Sequence, residues 1–124
     1  MKTKSAHRIS LGRLGEALAG LYMEERGYTI LGRNLRTPYG EIDLLAQQGE
    51  TIIFLEVKTR SNKTLGPPEI SITPVKLAHM RSAAEYYIQQ HPDLNNDWRL
   101  DVITIQMQVD QASPQIDHFE NVIT

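Results

Sequence analysis

The chain has 124 residues, 40% of them apolar and 23% charged, the size and make-up of one soluble globular domain, which excludes disorder and a fibrous repeat. It has no cysteine, which excludes disulfide staples, thiolate zinc sites and cysteine nucleophiles and points to a cytoplasmic setting. Net charge is −2, yet residues up to Ala84 carry 12 Lys and Arg against 8 Asp and Glu, and those from Glu85 onward 1 against 7, so the total excludes no polyanionic partner.

A basic arm, residues 1–9, opens the chain, and no window approaches the ~20 apolar residues of a membrane helix. Leu11, Leu14, Leu18, Leu21 and Tyr22 recur at helical spacing, with Ser10 as cap and Gly27 as stop, which predicts a helix over 10–26. Tyr28-Thr29-Ile30-Leu31 is strand-like, and Asn34 to Gly40, with Pro38 inside, reads as a loop or turn. Ile42 to Ala46 reads as a strand, and Gln48-Gly49-Glu50 as a hairpin into Thr51–Lys58. The latter's unbroken apolar run suggests a central strand buried on both faces.

A long connection follows, Thr59 to Thr73, containing Gly66-Pro67-Pro68. Thr73 as cap and Pro74 at the first helical position then start a second helix that runs to His91-Pro92. Leu100 to Ile105 reads as a strand that can return parallel to the central one. Residues 116–122 add an edge strand. The expectation is a single domain over 1–124, its core about 10–105, with an α/β fold in the order αβββαβ.

Asp43 and Glu56 both interrupt apolar strands, where an unpaired carboxylate is costly or is forced to protonate. Two carboxylates ~4 Å apart repel by ~4 kcal/mol at an effective dielectric of about 20, and a divalent cation between them reverses this. By strand alternation Ile52, Phe54, Glu56 and Lys58 share one face and Ile53, Leu55 and Val57 the other. A hairpin can bring Asp43 alongside Glu56, with Lys58 available to orient water or neutralise charge on a phosphate, a set that suits phosphodiester hydrolysis. Taken singly, Glu56 and Lys58 also read as a surface ion pair, and Asp43 as part of the turn after Gly40.

The order Gly12-Arg13-Leu14-Gly15-Glu16, then Gly40-Glu41-Ile42-Asp43-Leu44, then Phe54-Leu55-Glu56-Val57-Lys58-Thr59-Arg60 resembles the YraN-like family. That family lies in the PD-(D/E)xK nuclease superfamily, beside the archaeal Holliday-junction resolvases. The resemblance covers about residues 10–105 and implies a restriction-endonuclease-like core, a mixed sheet flanked by helices. It also implies a magnesium-dependent nuclease, with manganese as a substitute, hydrolysing DNA as a structure-selective endonuclease. Asp43, Glu56 and the Val57 carbonyl would hold the metal, Lys58 would be the catalytic lysine and Glu16 the helix-borne acid. Ile42 stands where the superfamily's nominal proline would be. By analogy with the resolvases, branched DNA and a homodimer are the expected partners. A nucleic-acid-binding module that keeps the fold without turnover is the alternative.

At about 100° per residue Glu16 lies about 160° from the Leu11, Leu18, Tyr22 stripe, on a side with Gly12, Ala19, Gly20 and Met23. That surface would let a strand or a nucleic-acid backbone come close. Arg13, Arg36, Arg60 and Lys76 flank the proposed site in sequence and are candidate phosphate contacts. His7, His79, His91 and His118 lack the spacing of a metal pair. Asp101 is read either as support for the site or as a pairing residue.

Overall fold

The computed structural model describes residues 4–60, 72–94, 97–107 and 113–123. The element order is α1 (Lys4–Glu25), β1 (Thr29–Thr37), β2 (Gly40–Gln48), β3 (Thr51–Arg60), α2 (Pro74–Gln90), β4 (Trp98–Gln106) and β5 (Gln115–Phe119). The five strands form one mixed sheet in sequence order, antiparallel except for the parallel β3–β4 pair. The expected αβββαβ order is present, with β5 as an added edge. None of the described helices is long and apolar enough to cross a membrane.

Two apolar clusters hold the helices on opposite faces. Ile53 and Leu55 of β3, with Leu44, Ala46, Ile103 and Ile105, pack against Ala19 and Met23 of α1. Ile52 and Phe54, with Ile42, Leu45 and Leu100, pack against Ala83 and Ala84 of α2. The central strand is therefore buried on both sides, as its unbroken apolar run predicts. Each large side chain buried here contributes roughly 1.5–3 kcal/mol.

Several boundaries differ from the sequence expectation, among them that of the edge strand β5, which ends at Phe119 where residue 122 was expected. Helix α1 starts at Lys4, so Ser10 is interior and not a cap, and the arm over 1–9 is helical from Lys4 on. No Gly or Pro stands between Lys4 and Ser10 to break the helix earlier. β1 runs to Thr37, so the predicted loop from Asn34 shrinks to a two-residue turn, Pro38-Tyr39. There Thr37 Oγ1 donates to the Gly40 carbonyl at 2.6 Å and accepts from the Tyr39 N–H at 3.1 Å. Gly40 takes φ +135°, a conformation open only to glycine. β3 continues to Arg60, and the Gly66-Pro67-Pro68 stretch lies outside the described residues.

The face that α1 buries differs in part, since Leu18 and Tyr22 of the expected stripe do pack on the core. Leu14 and Leu21, taken from the leucine stripe, are 48% and 57% exposed, whereas Ala19 and Met23 are fully buried. Small residues win because they let the helix backbone sit close to the sheet. A Cβ added at Gly15 would overlap the Thr59 hydroxyl of β3. The second helix is as expected, with Thr73 Oγ1 accepting from the Lys76 N–H at 3.1 Å and Pro74 in the first turn.

Asp101, fully buried within β4, proves to be a pairing residue. Its carboxylate accepts from Arg99 Nε at 3.0 Å, from the Asn121 N–H at 2.9 Å and lies 2.8 Å from His118 Nε2. Arg99 also donates to the Tyr28 hydroxyl at 2.8 Å, and His118 stands edge-on to Tyr22 and Tyr28. Burial pushes the Asp101 carboxyl up, but the hydrogen bonds from His118, Arg99 and Asn121 outweigh it and hold it below its ordinary value. Asp101→Ala, which strands Arg99 and His118, should cost about 3–5 kcal/mol in urea unfolding at neutral pH. Because the folded carboxyl is depressed, its stabilisation is complete above about pH 4 and is lost as pH falls through the folded value. The gap between wild type and Asp101→Asn should accordingly close in that acid range.

Candidate metal centre

The site forms where the β2–β3 ladder stops. Pairing runs from Gln48↔Thr51 to Leu44↔Leu55, and the next pair in register would be Asp43 opposite Glu56. Instead, Asp43 Oδ2 accepts the Val57 N–H at 2.8 Å. On β3 the Ile52 N–H bonds to the Asp97 carbonyl, and the Arg60 carbonyl accepts the Met107 N–H, both toward β4. A strand residue sends its N–H and C=O to the same side, alternating along the strand, so those of Val57 face the gap beside Asp43. The Val57 carbonyl therefore stands next to the carboxylate that its own N–H orients.

Side-chain alternation on β2 slips at the same place. Ile42 and Leu44 are two apart, yet Ile42 packs with the α2-side cluster and Leu44 with the α1-side cluster. Asp43 meets Glu41 and the α1 residue Glu16: the three offer one carboxylate oxygen each, all within 4.8 Å of one another. Glu16 arrives there because Gly15 allows α1 to ride directly on Thr59.

Asn34 of β1 holds two of these acids together. Its Nδ2 donates to Glu16 Oε1 at 2.9 Å and to Glu41 Oε1 at 3.4 Å. The residue has φ +51°, a left-handed backbone that asparagine tolerates better than most side chains. Gly12, Arg13, Glu16, Asn34, Arg36 and Glu41 line a cleft of about 490 Å³. Acids and arginines thus share one opening.

The sequence-derived residues divide into two groups. Glu16, Arg13 and Arg36 line the cleft, and Asp43 meets Glu16 beside it. Glu56 and Lys58, which follow Ile52 and Phe54 in alternation, lie on the α2 side, where Glu56 Oε2 is 3.4 Å from Lys76 Nζ. Arg60, half-buried at the end of β3, is not among the cleft-lining residues. Glu41 and Asn34 were missed. Glu41, two positions before Asp43, was findable from strand alternation, whereas the role of Asn34 depends on a pairing that the turn signals around Pro38 concealed.

Burial, followed by the charge of Glu56 and then of Glu16 and Glu41, pushes the Asp43 carboxyl up from 3.8 to about 7, against the opposing pull of the Val57 N–H. Three carboxylates, of which Glu16 and Asp43 are half-buried and Glu41 exposed, are an all-oxygen donor set, which suits a hard divalent cation and would relieve the like-charge repulsion that adds to burial in raising Asp43. Among the described residues this is the one group whose spacing fits an ion.

A mixed sheet between two helices, with an acid at the end of the β2–β3 ladder and Glu56-Val57-Lys58 beside it, defines a restriction-endonuclease-like domain of the PD-(D/E)xK superfamily. Within it, the chain belongs to the UPF0102, or YraN-like, family: the model described as "Uncharacterised protein family UPF0102" matches residues 15–105. It is 43% identical to a UPF0102 protein of Geotalea uraniireducens (strain Rf4), over 94% of this chain and 91% of the relative. It is 42% identical to one of Geobacter metallireducens (94% of each) and 39% identical to one of Caldicellulosiruptor saccharolyticus (93% and 98%).

The raised Asp43 carboxyl has a measurable consequence. A carboxyl whose folded value exceeds the unfolded one contributes stability that is complete below about pH 4 and gone once pH passes about 7. Asp43→Asn keeps an acceptor for Val57 but cannot ionise, so it should be more stable than wild type at pH 8 by about 2 kcal/mol, allowing for screening at the exposed rim. The difference should vanish at pH 4. Carboxyl-carbon NMR should find Asp43 titrating near 7, and a saturating divalent cation should move that titration down.

Proposed function

We propose that this protein is a metal-dependent nuclease that hydrolyses phosphodiester bonds in DNA, with magnesium as the natural cation and branched or single-stranded structure as the feature selected. The observation that carries the reading is the convergence of Glu16, Glu41 and Asp43, one oxygen each within 4.8 Å, beside a cleft that Glu16 and Glu41 line together with Arg13 and Arg36. Family membership supports the same class of chemistry, since the UPF0102 family lies within a nuclease superfamily.

The chain's own groups have distinct tasks. The Val57 N–H fixes the Asp43 carboxylate, and Asn34 spaces Glu16 from Glu41, so the donor set is organised before a ligand arrives. Bound among them, a divalent cation would polarise the phosphodiester and make an attacking water more acidic. Arg13 and Arg36 grip flanking phosphates, a sequence-independent contact in keeping with recognition of structure. Lys58 shares the α2 side of β3 with Glu56, apart from the cleft, and its part as the catalytic lysine that offsets transition-state charge rests on the family resemblance alone.

One observation favours the alternative of a DNA-binding module without turnover: Glu56 is engaged by Lys76 instead of joining the acidic group. A panel of linear, flapped and four-way DNA with magnesium or manganese separates the two. Cleavage of a branched substrate is expected, abolished by Asp43→Ala and Glu16→Ala. Asn34→Gly, which accepts the backbone conformation and removes only the amide, should lower it ~10–100-fold. Cleavage that survives Asp43→Ala would sink the assignment, and salt-sensitive binding with no cleavage under any cation would favour the binding module.

A further inference from the structure

The side chain of Glu56 is 13% exposed and has its Oε2 3.4 Å from Lys76 Nζ, which is 44% exposed. Lys76 occupies the first turn of α2, where Thr73 Oγ1 accepts its backbone N–H at 3.1 Å. A lysine there is on the wrong end of the helix, because the free N–H groups of a first turn already carry partial positive charge and favour an anion. No acidic residue of α2 lies in its own first turn. Glu56 of β3 is the anion that Lys76 holds. Lys58, on the same face of β3, adds a second ammonium to this side of the strand.

Glu56 also lies near the acidic group: it faces Asp43 in the register that the β2–β3 ladder would continue, and it lines one pocket with Glu41. One carboxylate thus stands between an ammonium and a site built for a cation. Both positive charges draw on the same carboxylate charge, and a carboxylate drawn toward a doubly charged ion releases the singly charged one.

We propose that Lys76 is the exchangeable counter-ion of this site, holding Glu56 while the cation is absent and passing to a phosphate oxygen of the substrate once a divalent cation takes Glu56; this rests on the nuclease reading. The released ammonium, next to the first-turn N–H groups of α2, is a natural phosphate contact, and lysine serves as a point charge for such contacts. The exchange makes cation and substrate binding mutually reinforcing, because the cation frees the group that grips the phosphate. Lys76 is thereby a positioning residue that sets which form of Glu56 the cation meets.

Manganese binding by calorimetry, with wild type, Lys76→Met, Glu56→Gln and the double variant, tests this without turnover. Lys76→Met should bind Mn²⁺ about two- to fivefold more tightly than wild type, the range a part-exposed ion pair supports. In the Glu56→Gln background the same change should have no effect. DNA binding with Ca²⁺ in place of Mg²⁺ supplies the second readout: Lys76→Met should lower the salt slope by about one phosphate contact when cation is present and leave it unchanged without cation. Equal Mn²⁺ affinity overturns the exchange, as does tightening that persists with Glu56→Gln, or a slope that falls equally with and without cation. A wild type that shows the Mn²⁺ pattern but cuts no DNA removes the nuclease assignment and leaves the ion exchange standing. Cleavage with a flat Mn²⁺ pattern does the reverse.

Discussion

A single hydrogen bond, from the Val57 N–H to Asp43, organises the acidic end of this sheet. The antiparallel ladder between β2 and β3 gives way there, and a side-chain oxygen takes the donor that a backbone carbonyl would otherwise have received. That substitution satisfies a main-chain group that would be expensive to leave unpaired. It also anchors a carboxylate at a fixed depth between two strands. The slip in side-chain alternation between Ile42 and Leu44 follows from the same departure, and it turns Asp43 toward Glu16 and Glu41.

The charges of the chain are distributed with the same economy. The excess of acid after Glu85 is not all at the surface: Asp101, fully buried, is enclosed by Arg99, His118 and Asn121 and ties β5 to β4. Arg99 also reaches Glu120 at 3.5 Å. Part of the negative charge therefore serves internal pairing, while the cleft beside α1 mixes acids with Arg13 and Arg36. Burying Asp101 is tolerable because every hydrogen bond it receives favours the charged form. Asp43 is the opposite case, surrounded chiefly by like charge.

Elements whose signal is local were legible from sequence. The Thr73 cap with Pro74, the apolar run of β3 and the Gly49 hairpin each depend on a few adjacent residues, and each is found where expected. The polar residue inside an apolar strand located Asp43 for the same reason. Less legible were features that depend on how elements meet. The leucine stripe of α1 located its buried face only in part: Leu18 and Tyr22 pack on the core, but the backbone comes closest to the sheet at Gly15 and Ala19, and Leu14 and Leu21 remain in solvent. Asn34 looked like loop because asparagine before proline and glycine is a turn signal, yet its left-handed backbone sits inside a continuous strand pairing. The partner of Glu56 needed the third dimension too: nothing in the chain between β3 and α2 indicates that Lys76 would reach it.

The contact between Gly15 and Thr59 bears on how this site can vary over time. Glu16 is the next residue along, so its distance from Asp43 is set by a backbone pressed against a strand, with no intervening layer of apolar side chains to swell or shrink. Core substitutions between α1 and the sheet can exchange volume at Met23 or Leu44 while the acid's base stays put. The interior of this chain can thereby change while its acids stay in register, and the mutation that would unseat them is a single methyl group at Gly15.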